Sequence, residues 1–462
     1  MSLTLRPYQS RAISDLRAAY RAGARAPLLV GPTGMGKTVI LAEILRGLSQ
    51  RGRSGLVLVH RRELIAQTAA KLDLAGVPHG IIAAGHQATD SAIQIASVQT
   101  LARRLHTIAS SPDLIVIDEA HHATAGSWCR ALDHWPDAHR LGVTATPIRL
   151  DGRGLSAVFD RLVMGPSVAD LVTDGFLTTA RIYAPPQTVD LSDLRRRAGD
   201  FAVEEAAQRL DRPSVTGDAI AHFRRFAGDQ RAIAFCCSTA HAEHVCESFR
   251  DAGIHASTLL GSTDPLDRDQ IVSSFAAGSL QVLVTVDVVS EGFDVPAAGC
   301  AILLRPTQSL GLYLQQVGRV LRPAPGKDAA IILDHVGNVH RHGFPDDPRD
   351  WSLDDRLRTG RAGGPAAPSV RTCEQCFAAF KPAPICPVCG HHCAPQPRQL
   401  RHVDGELREL KRTAKVIEFE ERHAKRTEVG RARTLADLLQ VAKNRGYSPG
   451  WAYRVHHGRS RH

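Results

Sequence analysis

Along residues 1 to 334, short apolar runs alternate with longer stretches in which apolar positions recur at a helical period. In the amino-terminal part the runs are Leu28–Val30, Gly55–His60, Ile93–Ser97, Leu114–Asp118 and Arg140–Thr146. A run that is apolar at every position, such as Leu114-Ile115-Val116-Ile117, predicts a buried strand. Strands separated by helices do not pair as hairpins, so the pattern predicts βαβ units and a parallel sheet. The rhythm returns at Arg231–Ser238, Ala256–Gly261, Gln281–Val286, Cys300–Arg305 and Ala329–Asp334. Two α/β units in series are expected, and their pattern ends at Asp334.

The loop Gly31-Pro32-Thr33-Gly34-Met35-Gly36-Lys37-Thr38 joins the first strand to the helix after it, the setting a phosphate cradle requires. Gly31, Gly34 and Gly36 let the loop's N–H groups, Thr33 among them, converge on a triphosphate. Lys37 adds a mobile cation, and the helix amino terminus adds partial positive charge. The Thr38 hydroxyl can hold Mg²⁺. Asp118 stands at the carboxyl end of its strand, where a second Mg²⁺ ligand belongs in a parallel-sheet nucleotide fold. Glu119 beside it can orient or deprotonate the attacking water.

The second unit has no phosphate loop of its own, which suggests that it serves a nucleotide held by the first from across a cleft. Its segment Gln315-Gln316-Val317-Gly318-Arg319-Val320-Leu321-Arg322 places two arginines three apart on one expected helical face. Both could reach a triphosphate, or both could be ordinary exposed arginines. An arginine entering from another domain can supply ~10³–10⁵ in phosphoryl-transfer rate.

In order and content these segments resemble the superfamily 2 helicases and translocases over roughly Leu3 to Pro323. Leu5-Arg6-Pro7-Tyr8-Gln9 is similar to the adenine-recognition element, with Arg6 packing on the base and Gln9 reading its edge. Gly31–Thr38 resembles motif I, His60–Leu64 motif Ia, Ala96–Thr100 motif Ib, Asp118–His121 motif II of the DEAH type and Thr144–Pro147 motif III. Ile233–Ser238, Val284–Pro296 and Gln315–Arg322 resemble motifs IV, V and VI. The resemblance implies two tandem RecA-like domains and ATP with Mg²⁺ as cofactors. It makes Arg319 and Arg322 arginine fingers and brings Gly292, Asp294 and Gln315 to the nucleotide. His121 and Gln315 would couple the two domains, with Thr144 and Thr146 linking closure to a nucleic-acid track. That track would run past Arg61, Arg62, Thr100 and Thr285, touching backbone phosphates rather than base edges.

Ten cysteines raise the question of a disulfide framework, but five of them fall between Cys373 and Cys393. Cys373-x-x-Cys376 and Cys386-x-x-Cys389 are spaced as paired knuckles that present four thiolates to one tetrahedral Zn²⁺. An iron–sulfur cluster is the rival, and Cys393, His391 or His392 could replace one ligand. A closed four-ligand site folds a small segment rather than catalysing.

The net charge of +10 resides entirely in residues 361–462, where 19 Lys and Arg face 9 Asp and Glu. A localised basic excess points to a polyanion. A helix is expected from Glu406 to Val429, solvated or binding, and a second from Thr434 to Asn444. Tyr447, Trp451 and Tyr453 then form either a base-stacking platform or a small core. Expected boundaries are 1–180 and 216–350 for the two domains, joined by 181–215, then a linker at 359–370, the cysteine module at 371–395 and the basic tail at 396–462.

The absence of an apolar run near ~18 residues and of a signal-peptide core leads us to expect a cytoplasmic protein, nucleoid-associated if bacterial. With its cysteine module and its Gly-Tyr-Ser-Pro-Gly-Trp-Ala tail, the chain most resembles the RadD-type bacterial and phage DNA helicases. That resemblance implies single-stranded, branched or duplex DNA as partner, rather than RNA or membrane, and a role in repair or recombination beside repair or single-strand-binding proteins. A DNA-stimulated clamp that never separates strands, the motor subunit of a restriction-type nuclease complex and an RNA helicase are the alternatives.

Overall fold

All ten apolar runs become strands, packed so that most of their residues are buried. The computed structural model describes residues 4–87, 89–108, 111–147, 154–185, 194–197, 200–211, 213–286, 295–354, 369–393, 434–445 and 448–459. The first sheet contains β1 (Pro27–Val30), β2 (Gly55–Val59), β3 (His79–Ile82), β4 (Ile93–Ser97), β5 (Leu114–Ile117), β6 (His139–Thr144) and β7 (Arg161–Met164). Their order is β3-β4-β2-β5-β6-β1-β7, with every pair parallel.

The chain then enters the second sheet through β8 (Thr179–Tyr183) and makes a small antiparallel hairpin, β9 (Arg196–Arg197) with β10 (Asp200–Phe201). It completes the sheet with β11 (Arg231–Phe235), β12 (Ala256–Leu259), β13 (Val282–Thr285), β14 (Ala298–Leu303) and β15 (Ala329–Asp334), ordered β12-β13-β11-β14-β15-β8 and again all parallel. These are the two α/β units that the apolar rhythm predicts and the tandem RecA-like domains that the family resemblance implies.

The sequence pattern does not announce β3, β7 or β8, and all three are edge strands. An edge strand is covered less than a central one, so it need not be apolar throughout: β8 exposes Thr179, Ala180 and Arg181.

Strand order positions the site. Because β5, β6 and β1 are consecutive in the sheet, the loops leaving their carboxyl ends lie side by side, and these loops carry Asp118–His121, Thr144–Thr146 and Gly31–Thr38. A cluster of Leu28, Leu58, Ile115, Trp128 and Phe159 covers one face of the first sheet. Another cluster joins Leu29, Val57 and Val143 on the other face to Leu177, Tyr313, Val317 and Phe235, so apolar packing continues into the second sheet.

Residues 344–354 return to the first domain after β15. Trp351 and Leu353 pack against the Phe159 cluster, and the Leu353 carbonyl accepts N–H bonds from Leu155 (2.7 Å) and Ser156 (3.0 Å). The cysteine module follows as an antiparallel hairpin, β16 (Arg371–Thr372) with β17 (Ala379–Phe380). It attaches to the free edge of β8: Tyr183 bridges Ala378, and the Ala184 N–H donates to Phe377 O at 2.9 Å.

The carboxyl-terminal unit shows two helices, Leu435–Arg445 and Pro449–Arg459, around buried Leu438, Val441, Ala442 and Ala452. Trp451 packs onto this small core while Tyr453 is exposed. The helix expected at Glu406–Val429, Tyr447 and linker residues 359–368 lie outside the described residues. No helix among the described residues is long and apolar enough to cross a membrane.

Phe159 is fully buried against Gly142, where an added Cβ would lie 2.4 Å from the ring. Phe159→Ala should therefore cost about 3–5 kcal/mol, seen as a lower urea midpoint for unfolding.

Candidate active site

Two of these loops, those carrying Gly31–Thr38 and Asp118–His121, floor a cleft of about 610 Å³, within the usual range for small-ligand pockets. Thr33, Gly34, Gly36, Lys37, Thr38, Asp118 and Glu119 line it from the first domain, Arg6 and Gln9 from one end, and Arg319 and Arg322 from the second domain. Gly31 stands behind the cleft, its N–H given to Thr144 O at 3.1 Å, and Gln315 is buried in its helix. Gly292 and Asp294 lie outside the described residues.

Gly34 and Gly36 have φ of +94° and +81°, a region that a side chain disfavours. At Gly36 a Cβ would also sit 2.5 Å from Gln9 Nε2. Lys37 Nζ donates to the carbonyls of Gly31 (3.0 Å) and Pro32 (3.3 Å), so the ammonium folds over its own loop. Burial pushes its pKa below the ordinary lysine range, Glu119 and Asp118 draw it back up, and Arg319 and Arg322 depress it again. Three cations and two carboxylates thus share one poorly solvated space, which suits a polyanion carrying its own divalent cation.

Glu119 is held at φ +48°, the left-handed region, and among the described residues only Phe377 is another non-glycine with positive φ. A departure of this kind costs on the order of 1–3 kcal/mol and persists where the surroundings over-determine it. The bond that does so is visible: Asp118 Oδ1 accepts the Glu119 N–H at 2.9 Å, aiming both carboxylates from one turn. His121 Nδ1 lies 3.4 Å from Glu119 Oε2 and 3.3 Å from Thr144 Oγ1. Thr144 in turn donates to Thr146 O at 2.9 Å. Thr146 meets the second domain at Gly311, where an added Cβ would fall 2.8 Å from its hydroxyl.

At the amino-terminal end, the Arg6 guanidinium lies 4.7 Å over the Phe176 ring, and Tyr8 meets the same ring edge-on at 5.0 Å. Gln9 Oε1 accepts the Arg6 N–H (2.9 Å), while Gln9 Nε2 and Tyr8 Oη donate to Met35 O at 3.0 and 3.1 Å. The adenine-type element is thereby tied to the phosphate loop. Sequence reasoning missed Phe176, and also Lys71 and Pro296, which line the cleft. A signal for Phe176 exists in Asp174-Gly175, a turn with Gly175 at φ +73° that delivers an aromatic residue just before β8.

The residues expected on a nucleic-acid track separate. Arg61 and Arg62 begin the helix after β2 and Thr100 lies in the helix after β4, all at least partly exposed at carboxyl ends of strands. Thr285 is fully buried, its hydroxyl donated to Leu259 O at 2.8 Å. Nearby, Arg268 of the second domain reaches Glu63 of the first at 2.8 Å.

The thiols of Cys373, Cys376, Cys386 and Cys389 lie within 4.8 Å of one another. The Cys373–Cys389 and Cys376–Cys386 sulfur separations are 3.6 and 3.7 Å, against about 3.8 Å for the edge of a tetrahedron with metal–sulfur bonds of about 2.3 Å. Cys393 packs against this cluster without joining the group of four, its thiol 3.6 Å from His391 O. The donor set fits a structural zinc.

Comparison with known proteins agrees with this architecture. Residues 2–149 match the family described as type III restriction enzyme, res subunit, and residues 218–324 match the helicase conserved C-terminal domain. A 51.5 kDa protein of a Lactococcus phage is 33% identical over 79% of this chain and 77% of its own length. The chain belongs to the superfamily 2 helicases. It is accordingly a nucleic-acid-dependent ATPase. The Saccharomyces cerevisiae protein named as an ATP-dependent helicase, IRC3, is 33% identical over 72% of this helicase-family chain, which spans only about half, 51%, of that relative. A fragment assigned to the HsdR subunit of a type I restriction enzyme from Vibrio vulnificus YJ016 shares the fold, with a TM-score of 0.58 and 21% identity over 73% of this chain and 67% of its own.

Elemental analysis should find about one zinc per chain, lost in Cys386→Ser. At the cleft, a Cβ on Gly318 would lie 2.6 Å from Thr33 Cβ. Gly318→Ala should therefore push the domains apart and lower ATP turnover by roughly 10²-fold, measured as steady-state phosphate release.

Proposed function

We propose that this protein is an ATP-driven DNA translocase or helicase of the DEAH, RadD-like kind, acting in DNA repair or recombination. The observation that carries the reading is the convergence of Arg319 and Arg322 with Lys37, Asp118 and Glu119 on one cleft, since no one domain supplies all five.

In this reading the triphosphate lies along the N–H groups of Gly34, Gly36 and Lys37, with Arg6 and Phe176 beside the base. Thr38 and Asp118 would hold Mg²⁺, which would offset phosphate charge. Glu119 takes a proton from the attacking water while His121 restrains its carboxylate. Arg319 and Arg322 meet the charge that builds on the transferring phosphoryl group. Loss of that group removes what holds the arginines near Lys37, so hydrolysis loosens the cleft. Through Thr144, Thr146 and Gly311 the change reaches the contact between domains, and unequal grip on a strand turns the cycle into movement. Arg61, Arg62 and Thr100 are the proposed phosphate contacts, which favours a salt-dependent and sequence-tolerant track.

A second reading, the motor subunit of a restriction-type complex, is favoured by the family match over residues 2–149 and by the HsdR-type fold neighbour. An RNA substrate is the third possibility. Steady-state ATPase rates with no nucleic acid, single-stranded DNA, duplex DNA and RNA, each at two salt concentrations, separate them. Strong, salt-sensitive stimulation by DNA supports the proposal; preferential stimulation by RNA overturns it. Lys37→Ala should reduce turnover by at least 10²-fold, and Glu119→Gln should bind ATP yet fail to hydrolyse it, read by nucleotide binding beside phosphate release.

A further inference from the structure

Three positive side chains, Lys37, Arg319 and Arg322, face one another across the cleft and repel. Asp118 and Glu119 offset part of this repulsion, and the backbone of the arginine-bearing segment carries anchoring bonds of its own. Both atoms that Thr178 can donate through, its N–H (2.8 Å) and its hydroxyl (3.1 Å), bond to the carbonyl of Leu321, the residue just before Arg322. The next carbonyl, that of Arg322 itself, accepts from Lys327 Nζ at 2.7 Å. The same ammonium also reaches Ala298 O at 2.7 Å and Pro296 O at 3.4 Å, and Pro296 lines the cleft. Burial, aided by the charge of Arg322, pushes Lys327 down to about 8. An ammonium kept in so unfavourable a place, surrounded by three carbonyls, is doing backbone-fastening work that an apolar side chain cannot do.

The position of Thr178 adds a second element. It ends a connector in which Phe176 packs on Arg6 and Tyr8, and Leu177 lies where a Cβ on Gly34 would come within 2.9 Å of it. Phe176 and Leu177 are themselves anchored, both N–H groups going to Leu171 O at 2.8 and 2.9 Å. Three successive residues therefore touch the base end of the cleft, the phosphate loop and the arginine segment.

We propose that Thr178 and Lys327 are positioning residues that fix the backbone of Leu321 and Arg322, so that the placement of Arg322 is set by the interdomain connector and by the strand leading out of Pro296. This rests on the reading of Arg319 and Arg322 as the groups that meet the phosphoryl charge. Neither Thr178 nor Lys327 touches the reacting atoms. Their loss should therefore leave nucleotide binding nearly intact and lower the chemical step.

The test uses the full chain under saturating DNA with Arg322→Ala, and with Thr178→Val, Lys327→Met and Lys327→Arg each alone and combined with Arg322→Ala, and with melting temperatures as the control for folding. Thr178→Val and Lys327→Met should each lower kcat by roughly tenfold, with KM for ATP changed less than about twofold. Lys327→Arg, which keeps a cationic donor, should recover most of the loss. In the Arg322→Ala background neither substitution should lower kcat further, because the group they position is gone. If Arg322→Ala itself turns over normally, the arginine reading falls and this proposal with it. If Arg322→Ala is defective while folded Thr178→Val and Lys327→Met retain wild-type kcat, or if their losses multiply with that of Arg322→Ala, the proposal alone is overturned.

Discussion

The helix Leu310–Gly318 can lie against the first domain because two of its residues have no side chain. Gly311 and Gly318 are seven apart, two helical turns, and so share a face. That face meets Thr146 at one end and Thr33 of the phosphate loop at the other. Arg319 follows the second glycine directly, so its reach into the cleft is governed by the depth of that contact. The groups proposed to surround a nucleotide, namely the loop amides, the paired carboxylates and the opposing arginines, line one cleft only when the two surfaces touch at this spacing. A fold with a wider gap would still bind phosphate on the first domain but would leave its far side to water.

Much of this was legible in the order of residues. Glycine spacing announced the phosphate loop, an apolar run ending in Asp118 announced the carboxylates, and the lack of a second loop pointed across a cleft. The elements that escaped notice share a physical cause. β3, β7 and β8 are short edge strands with partly exposed residues, so at most a short apolar stretch marks them. Phe176, Thr178 and Lys327 act through partners brought near only by the fold; Thr178 and Leu321 are 143 positions apart. Thr285 shows the opposite case, a residue assigned to a surface by its place in a motif and found with its hydroxyl bonded inside the sheet.

β8 emerges as a shared beam. Its first residues follow the connector that touches the nucleotide cleft, and its last residues carry the cysteine module through Tyr183 and Ala184. Phe377, on which that attachment depends, sits at φ +61° within the turn that presents Cys376. The cysteine-bearing turn thus covers an open sheet edge, which otherwise invites pairing with another chain.

Residues 344–354 carry a consequence for how the chain comes to be folded. The first domain's core is finished by Trp351 and Leu353, which follow the whole second domain in the sequence. The Leu155–Leu353 contact closes a loop of about two hundred residues, and such closures come late because their entropy must be met before the contact forms. As the chain leaves the ribosome, the first sheet can collapse while one patch of its apolar surface waits uncovered until the second domain has been made. The two domains are therefore interleaved in time as well as in space, and a cut between them in the gene would not yield two finished halves.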